Sequence, residues 1–395
     1  MKILMVIPAL GNVYGGPSNS VVQLAEALGN GGVHLDLVTT NANGKTSLDV
    51  PLQTWIDRPN YRVRYFPAWN VGDYKISRSF DRWISHHIID YDIAHTNAIF
   101  SPSMLSVYRA CQKHDIPYII TPRGMLEPWA LSYKAWKKRI YYRLLEKPAL
   151  NRASAIHLLA SSELNGVKSL NLKPSLFVIP NGIRESDFSQ AVTADIFYQN
   201  FPETQGKTLI LFLGRIDPKK GLDLLAPAFA KVCDRFSNTH LVVAGPDNIG
   251  FLPTVRNDFH EAGCLESVTF TGMLDRTLKY SALAAATLYI APSYSEGFSI
   301  SVLEGMASGL PCILSTGCNF PEAGVEGAAR IVNLDAEEIA RALIDCLKNP
   351  QQAKEMGDRA RNLILERYTW NQISANLINV YGAIIDGNFI SEVIF

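Results

Sequence analysis

Nowhere in this 395-residue sequence does an apolar run approach the ~18 residues that a membrane-spanning helix needs. Charge of one sign is missing too. Lys and Arg number 37 against 37 Asp and Glu, so no whole-molecule field points to nucleic acid, and any anionic partner must be held by a local cluster. Cys111, Cys233, Cys264, Cys312, Cys318 and Cys346 are scattered, with no C-x-x-C pair and no metal-ligand spacing. They read as buried free thiols in a reducing cytosol. The opening "MKILMVIPALGN" has one Lys and a short apolar run, followed by a glycine turn rather than a small-residue cleavage site. It is expected to be a first β-strand, in a cytoplasmic protein.

What is present is apolar material in short alternating pieces. Hydrophobic residues make up 47% of the chain and charged residues 19%, and the length favours two domains over one core. Strand-like runs "KILMVI", "HLDLVTT", "RVRYF", "IAHTN", "YIIT", "AIHLLA" and "LFVI" alternate with helical stretches at 17–29, 101–113, 132–149 and 161–170. This β-α alternation predicts a parallel sheet covered on both faces. Residues 179–207, with Pro, Asn-Gly and polar residues, read as a linker. The alternation restarts with "TLILFLG", "HLVVAG", "VTFTG", "LYIAPS", "PCILST" and "ARIVN", then a helix at 351–367 and a last one at about 371–385. The expected fold is α/β, two doubly wound Rossmann-like domains: 1–188 with a returning 371–395, and 189–370. Open sheets of this kind bind ligands at the carboxyl ends of their strands.

Three loops at such ends carry the chemistry. In "GRIDPKKG", 214–221, Arg215 and Lys220 sit where a strand gives way to a helix, and an arginine fork with a lysine beside helix N–H groups suits a diphosphate. Two solvated surface cations are the plainer alternative. "YGGPSNS", 14–20, lets the backbone approach a ligand at Gly15 and Gly16. It is neither G-x-G-x-x-G nor G-x-x-x-x-G-K-[ST], so dinucleotide and P-loop readings drop out, and a simple tight turn remains open. In "SEGFSISVLEGMASGLP", 295–311, Glu304 lies about two helical turns beyond Glu296 and roughly 80° round in projection. That offset disfavours a glycosidase pair, whose carboxyls must meet at one bond within ~5–10 Å. It suits carboxylates gripping two ends of one elongated ligand.

Together "GRIDPKKG", "VTFTGM", "APSYSEGFSISVLEGMASGLP" and "VIPNGI" resemble the motif set of retaining glycosyltransferase family 4, with the GT-B fold, over nearly the whole chain and in the right order. The resemblance implies a nucleotide-sugar donor on the second domain. Arg215 and Lys220 would hold its diphosphate, Glu304 the ribose and Glu296 the transferred sugar. Backbone N–H groups of Gly297, Phe298, Ser299 and Ile300 would serve sugar and phosphate. Gly272, Met273 and Leu274 would border the base, and Gly16 would approach the phosphates from the first domain. Many relatives carry a histidine after the strand matching "YIIT"; here "TPRGMLEPWA" offers Arg123 and Glu127 instead. Arg123 is expected either to replace that histidine at the donor or to be structural.

The expectation is therefore retaining transfer of a hexose, first glucose from UDP-glucose, to a glycan or lipid-linked acceptor in surface polysaccharide synthesis. Arg215, Lys220 and Glu296 would carry the chemistry, without metal or other cofactor. Mannosyl or galactosyl transfer, or sugar-nucleotide epimerisation on the same fold, are the alternatives.

Some features imitate other sites. "DYD", Asp90 to Asp92, mimics a metal-binding D-x-D but directly precedes a strand, where aspartates commonly end a turn. His95 reads as a hydrogen-bonded structural histidine or as one approaching the cleft, and His86 and His87 as surface or partly buried packing in a helical stretch. In 132–150, Trp136, Ile140 and Leu144 form a stripe amid Lys134, Lys137, Lys138, Arg139, Arg143 and Lys147. An anionic membrane surface and an ordinary solvated face are equally good readings of it.

Overall fold

The computed structural model describes residues 1–71, 74–126, 139–189 and 192–388. The chain divides into two compact units: Met1–Gly182 with the chain from Trp370 onward, and Ile183–Thr369.

In the first unit, β1 (Lys2–Ala9), β2 (His34–Thr40), β3 (Trp55–Asp57), β4 (Arg62–Phe66), β5 (Ile93–Asn97), β6 (Tyr118–Thr121), β7 (Ala155–Leu158) and β8 (Ser175–Val178) form one sheet. Its order is β8-β7-β6-β5-β1-β2-β4-β3, parallel except for β3 against β4. The period of two along β1 explains why both faces are covered. Leu4 and Val6 enter one core with Phe80, Met104 and Tyr108, whereas Ile3, Met5 and Ile7 enter another with Val21, Leu24 and Tyr381. The helix Trp370–Ile385 packs on Gly16–Asn30, where Trp370 Nε1 donates to Gln23 Oε1 at 2.6 Å. Residues Tyr142–Glu146 wind as a π-helical turn running into Lys147–Leu150.

The second unit holds β9 (Thr208–Leu213), β10 (Thr239–Ala244), β11 (Val268–Gly272), β12 (Leu288–Ala291), β13 (Cys312–Ser315) and β14 (Arg330–Val332). They run parallel in the order β11-β10-β9-β12-β13-β14, the doubly wound arrangement.

Two features depart from the expectations. The segment read as a linker carries a helix, Asp195–Asn200, whose Phe197 is wholly buried and donates its N–H to Ser281 Oγ at 2.9 Å. Its apolar residues are too few and too close to Pro and Gly to show a period. Edge strand β3 and the hairpins Ala42–Asn43/Thr46–Ser47 and Trp69–Val71/Tyr74–Ile76 also escape the alternation, because two or three residues cannot display it.

Candidate functional site

The site on the second unit begins where β9 ends. Gly245 lies so close to this loop that a Cβ there would stand 1.8 Å from Gly214 O. Asp217 accepts from Lys219 N at 3.1 Å and starts a 3-10 turn, Pro218–Lys220. Gly221 then takes φ 69° and opens the helix Leu222–Cys233. A Cβ on Gly221 would lie 2.0 Å from Pro292 O, and Tyr294 N donates to Lys219 O at 2.7 Å. The loops after β9 and β12 therefore lie against each other.

Their contact is ionic. Lys220 Nζ meets Glu296 Oε1 at 2.5 Å, and Ser293 Oγ donates to the same oxygen at 2.7 Å. Glu296 N–H reaches Gly317 O at 2.8 Å, and Asn319 Nδ2 donates to Glu296 O at 2.5 Å, so the residue is held at backbone and side chain. Burial pushes the Glu296 carboxyl up, but Lys220 and Lys219, with the Lys220 and Ser293 hydrogen bonds, outweigh it and hold it below its ordinary value. Lys219 is lowered, by burial first and then by the Lys220 and Arg215 charges, against Glu296 and Asp217. Arg215 is half-buried and makes no side-chain hydrogen bond or ion pair among the described residues. Arg215, Lys219 and Lys220 are thus set against the carboxylates of Glu296 and Asp217, a net positive charge that suits a polyanion.

Glu304 is also buried, inside the helix Ile300–Ala307, but its partner is Lys279. Burial raises its carboxyl above the ordinary value, and Lys279 only partly opposes that. The two glutamates are accordingly in separate ion pairs. Lys279 stands on the helix Arg276–Ala285, N-capped by Asp275. The loop before it holds Gly272 at φ 69°, the exposed Met273 and Leu274. Phe298 buries its ring against Phe320 and Tyr368, which leaves only its backbone for the role expected of it. Ser299 precedes the helix without capping it, its hydroxyl turned to Ser301 Oγ at 3.1 Å. The first N–H groups of that helix have no intrahelical acceptors.

On the first unit, Gly15 takes φ 66° before the helix Gly16–Asn30, and a Cβ on Gly16 would meet nothing within 4 Å. Arg123 follows β6 at φ 55°. Its Nε and Nη2 donate to Asn97 Oδ1 at 3.1 and 2.8 Å, and Nη1 to Ser20 Oγ at 2.8 Å. Burial lowers the guanidinium to about 10, and the charge of Glu163 opposes that shift.

Two family descriptions match this chain. Glycosyltransferase Family 4 covers residues 14–187, and Glycosyl transferases group 1 covers 195–363. The chain belongs to the group 1, family 4 glycosyltransferases. It is 28% identical over 396 residues to a phosphatidyl-myo-inositol mannosyltransferase of Mycolicibacterium smegmatis, covering 96% of this chain and 93% of that one. An MMP alpha-(1->4)-mannosyltransferase of Mycolicibacterium hassiacum is 26% identical over 309 residues, 74% of this chain and 70% of that one. In fold, sucrose-phosphate synthase from Thermosynechococcus elongatus superimposes with a TM-score of 0.79 at 21% identity, covering 98% of this chain and all of that one. The fold is GT-B.

This glycosyltransferase uses its decoys structurally. Asp92 accepts from Lys2 N at 2.7 Å, and Asp90 pairs with His87 at 3.1 Å. His95 is wholly buried between Tyr381 O–H and Thr121 Oγ1, each at 2.6 Å, and Thr121 continues to His157 at 2.9 Å. Glu127, Lys134, Trp136, Lys137 and Lys138 lie outside the described residues. Sequence reasoning missed Lys219, although it lies inside "GRIDPKKG", and Lys279, which no motif marks.

Proposed function

We propose that this glycosyltransferase transfers a mannosyl group from GDP-mannose, with retention at the anomeric carbon, to a saccharide or lipid-linked acceptor. Glucose from UDP-glucose, the first expectation, gives way here. The relative similar over nearly the whole chain is a mannosyltransferase, and so is the second curated relative. The observation that supports a diphosphate donor is the surplus of Arg215, Lys219 and Lys220 over the carboxylates of Asp217 and Glu296 in one pair of loops.

In this reading the bond between the anomeric carbon and the diphosphate oxygen breaks, and its electron pair stays on the diphosphate. Arg215 and Lys220 stabilise that charge where it develops. An acceptor hydroxyl attacks from the same face and gives its proton to a diphosphate oxygen. Glu296, held ionised by Lys220, grips the sugar, and Glu304 accepts from the ribose. Cations take the electrostatic role a divalent ion would otherwise fill, so EDTA is expected to leave transfer intact. No cofactor beyond the donor is invoked.

A donor panel tests the reading. GDP-mannose, UDP-glucose and UDP-galactose are each incubated with and without a lipid extract as acceptor, and nucleotide release is measured. Release from GDP-mannose that depends on the extract is expected. Release from a UDP-sugar alone would overturn the donor, and donor conversion without any release would indicate an epimerase.

A membrane-resident acceptor is supported by Ile140 and Leu144, 54% and 67% exposed one turn apart, beside the exposed Arg139 and Arg143. No helix among the described residues is long and apolar enough to cross a membrane. Peripheral binding to the cytoplasmic face is the proposed location. Ile140→Ser with Leu144→Ser should abolish co-sedimentation with anionic vesicles.

A further inference from the structure

Strand β5 ends in a strained loop. After Asn97, Ala98 takes φ 91° and Phe100 takes φ 59°, conformations unfavourable for residues with a Cβ, which persist only where the surroundings enforce them. Three contacts enforce this one. Ala98 N–H donates to Thr121 O at 2.9 Å, and Asn97 Oδ1 receives two nitrogens of Arg123. Phe100 N–H donates to Glu146 Oε1 at 2.7 Å.

Glu146 is the unusual member. It is wholly buried on the π-helical turn Tyr142–Glu146, and its second oxygen has no hydrogen-bond partner among the described residues. Turns of this kind often mark functional positions. Tyr141 O–H and Ser101 Oγ are buried and likewise unpartnered, and the Tyr141 ring packs 6.0 Å from that of Phe100.

We propose that Glu146 is a positioning residue that holds the Asn97–Ser101 loop, and through Asn97 the guanidinium of Arg123, and that losing its proton releases the loop. Burial raises this carboxyl to about 7, with only the Phe100 hydrogen bond opposing. The titratable groups around it are Tyr108 on the helix Pro102–Lys113 and Tyr141 on its own helix, and Arg109 acts on Tyr141. No cation among the described residues compensates the ionised form. Below neutrality the neutral acid sits comfortably and accepts from Phe100 N–H. Above it, the proton leaves to solvent, and an uncompensated buried charge favours opening the loop toward water. The catalytic consequence rests on the proposed transfer reaction. The behaviour of the loop does not.

The test therefore has two arms. Amide hydrogen exchange of Phe100 and Ser101 is followed in wild type, Glu146→Gln and Glu146→Ala at pH 6 and pH 8, corrected for the intrinsic pH dependence of exchange. Wild-type protection should fall about tenfold between the two, following the ionised fraction one unit above the carboxyl's midpoint. Glu146→Gln keeps the acceptor oxygen and cannot ionise, so its protection should be equal at both pH values. Glu146→Ala should lose protection at both. In the second arm, kcat/KM for mannosyl transfer should bend downward near neutrality in wild type and not in Glu146→Gln, with GDP-mannose affinity unchanged. A Glu146→Gln profile that follows wild type, or full Phe100 protection in Glu146→Ala, would overturn the proposal. Absence of transfer in wild type would overturn the donor reading while leaving the exchange arm to judge Glu146.

Discussion

Lys220 and Glu296 each make the other tolerable in a buried place. Taking two charges out of water costs several kcal/mol per ion, and removing one partner leaves the other uncompensated. Lys220→Met should therefore destabilise the second unit by about 3–5 kcal/mol, read by urea unfolding. Lys220→Met with Glu296→Gln should recover most of that loss. Neither variant should bind GDP-mannose within tenfold of wild type by calorimetry. Recovery of affinity in the double variant would mean that the pair is only a brace. Glu304 makes a second prediction. Lys279 opposes the burial that raises its carboxyl, so, on the proposal that an ionised Glu304 accepts from the ribose, Lys279→Ala should move the acid limb of GDP-mannose binding to higher pH. At this scale the sequence marks where the buried ion pairs lie, not what they bind. Position after an apolar strand singles out Arg215 and Lys220, and the eight-residue offset separates Glu296 from Glu304. Lys279 was not legible, because its pairing with a residue 25 positions away is made by packing between two helices.

Among the elements, the loop–helix junction at Gly221 leaves no room for a side chain. The residue has φ 69°, and any side chain would enter Pro292 O. Gly221→Ala thus combines left-handed strain with a steric clash against backbone, and the loops carrying Lys220 and Glu296 should separate. The expected outcome is a loss of more than about 2 kcal/mol in unfolding free energy, together with donor affinity. The helix Asp195–Asn200 teaches a different lesson. Phe197→Ala should cost about 3–5 kcal/mol, as for other buried aromatics, although the surrounding sequence reads as a connector. Period-2 and period-3.6 patterns expose long elements such as β1 and Gly16–Asn30. A single six-residue helix anchored by one ring leaves no such trace, and edge strand β3 leaves none either.

Across the whole molecule, acid stability draws on depressed groups in both units, Glu296 and His240 in the second and His95 and His157 in the first. Burial lowers His157 to about 3, and burial with the nearby His157 and Arg123 charges holds His95 well below 6.5. Their folded values are depressed, so the unfolded chain binds the extra protons, and the stability they contribute is present above 6.5 and lost as pH falls. Each costs about 1.4 kcal/mol per pH unit below that point. Glu146 has the opposite sign. Its contribution is complete below 4.5 and is lost as pH rises through about 7, which offsets one histidine between 4.5 and 6.5. The first unit's thermal unfolding midpoint should fall gently from pH 6.5 to 4.5 and more steeply below. A first-unit midpoint constant from pH 6.5 to 4 would contradict this assignment of neutral buried histidines. None of it is visible in a sequence where His95 and His157 are simply two residues inside strands.

The path of the chain has a consequence for biosynthesis. The second unit begins and ends at one place, where Ile183 N–H donates to Tyr368 O at 2.8 Å beside the Ile183–Thr369 bridge. It is a cassette spliced into the first. Emerging from the ribosome, residues 1–182 have every strand of their sheet but lack Trp370, Ile373, Leu377, Val380 and Tyr381, which line one of its two cores. Until those residues are synthesised, the core that holds Ile3, Met5 and Leu24 lacks five of its buried members. The cassette can close before its host is complete. A nascent chain stalled before residue 370 should engage chaperones through the uncovered face, and a peptide spanning 370–388 supplied in trans should release it.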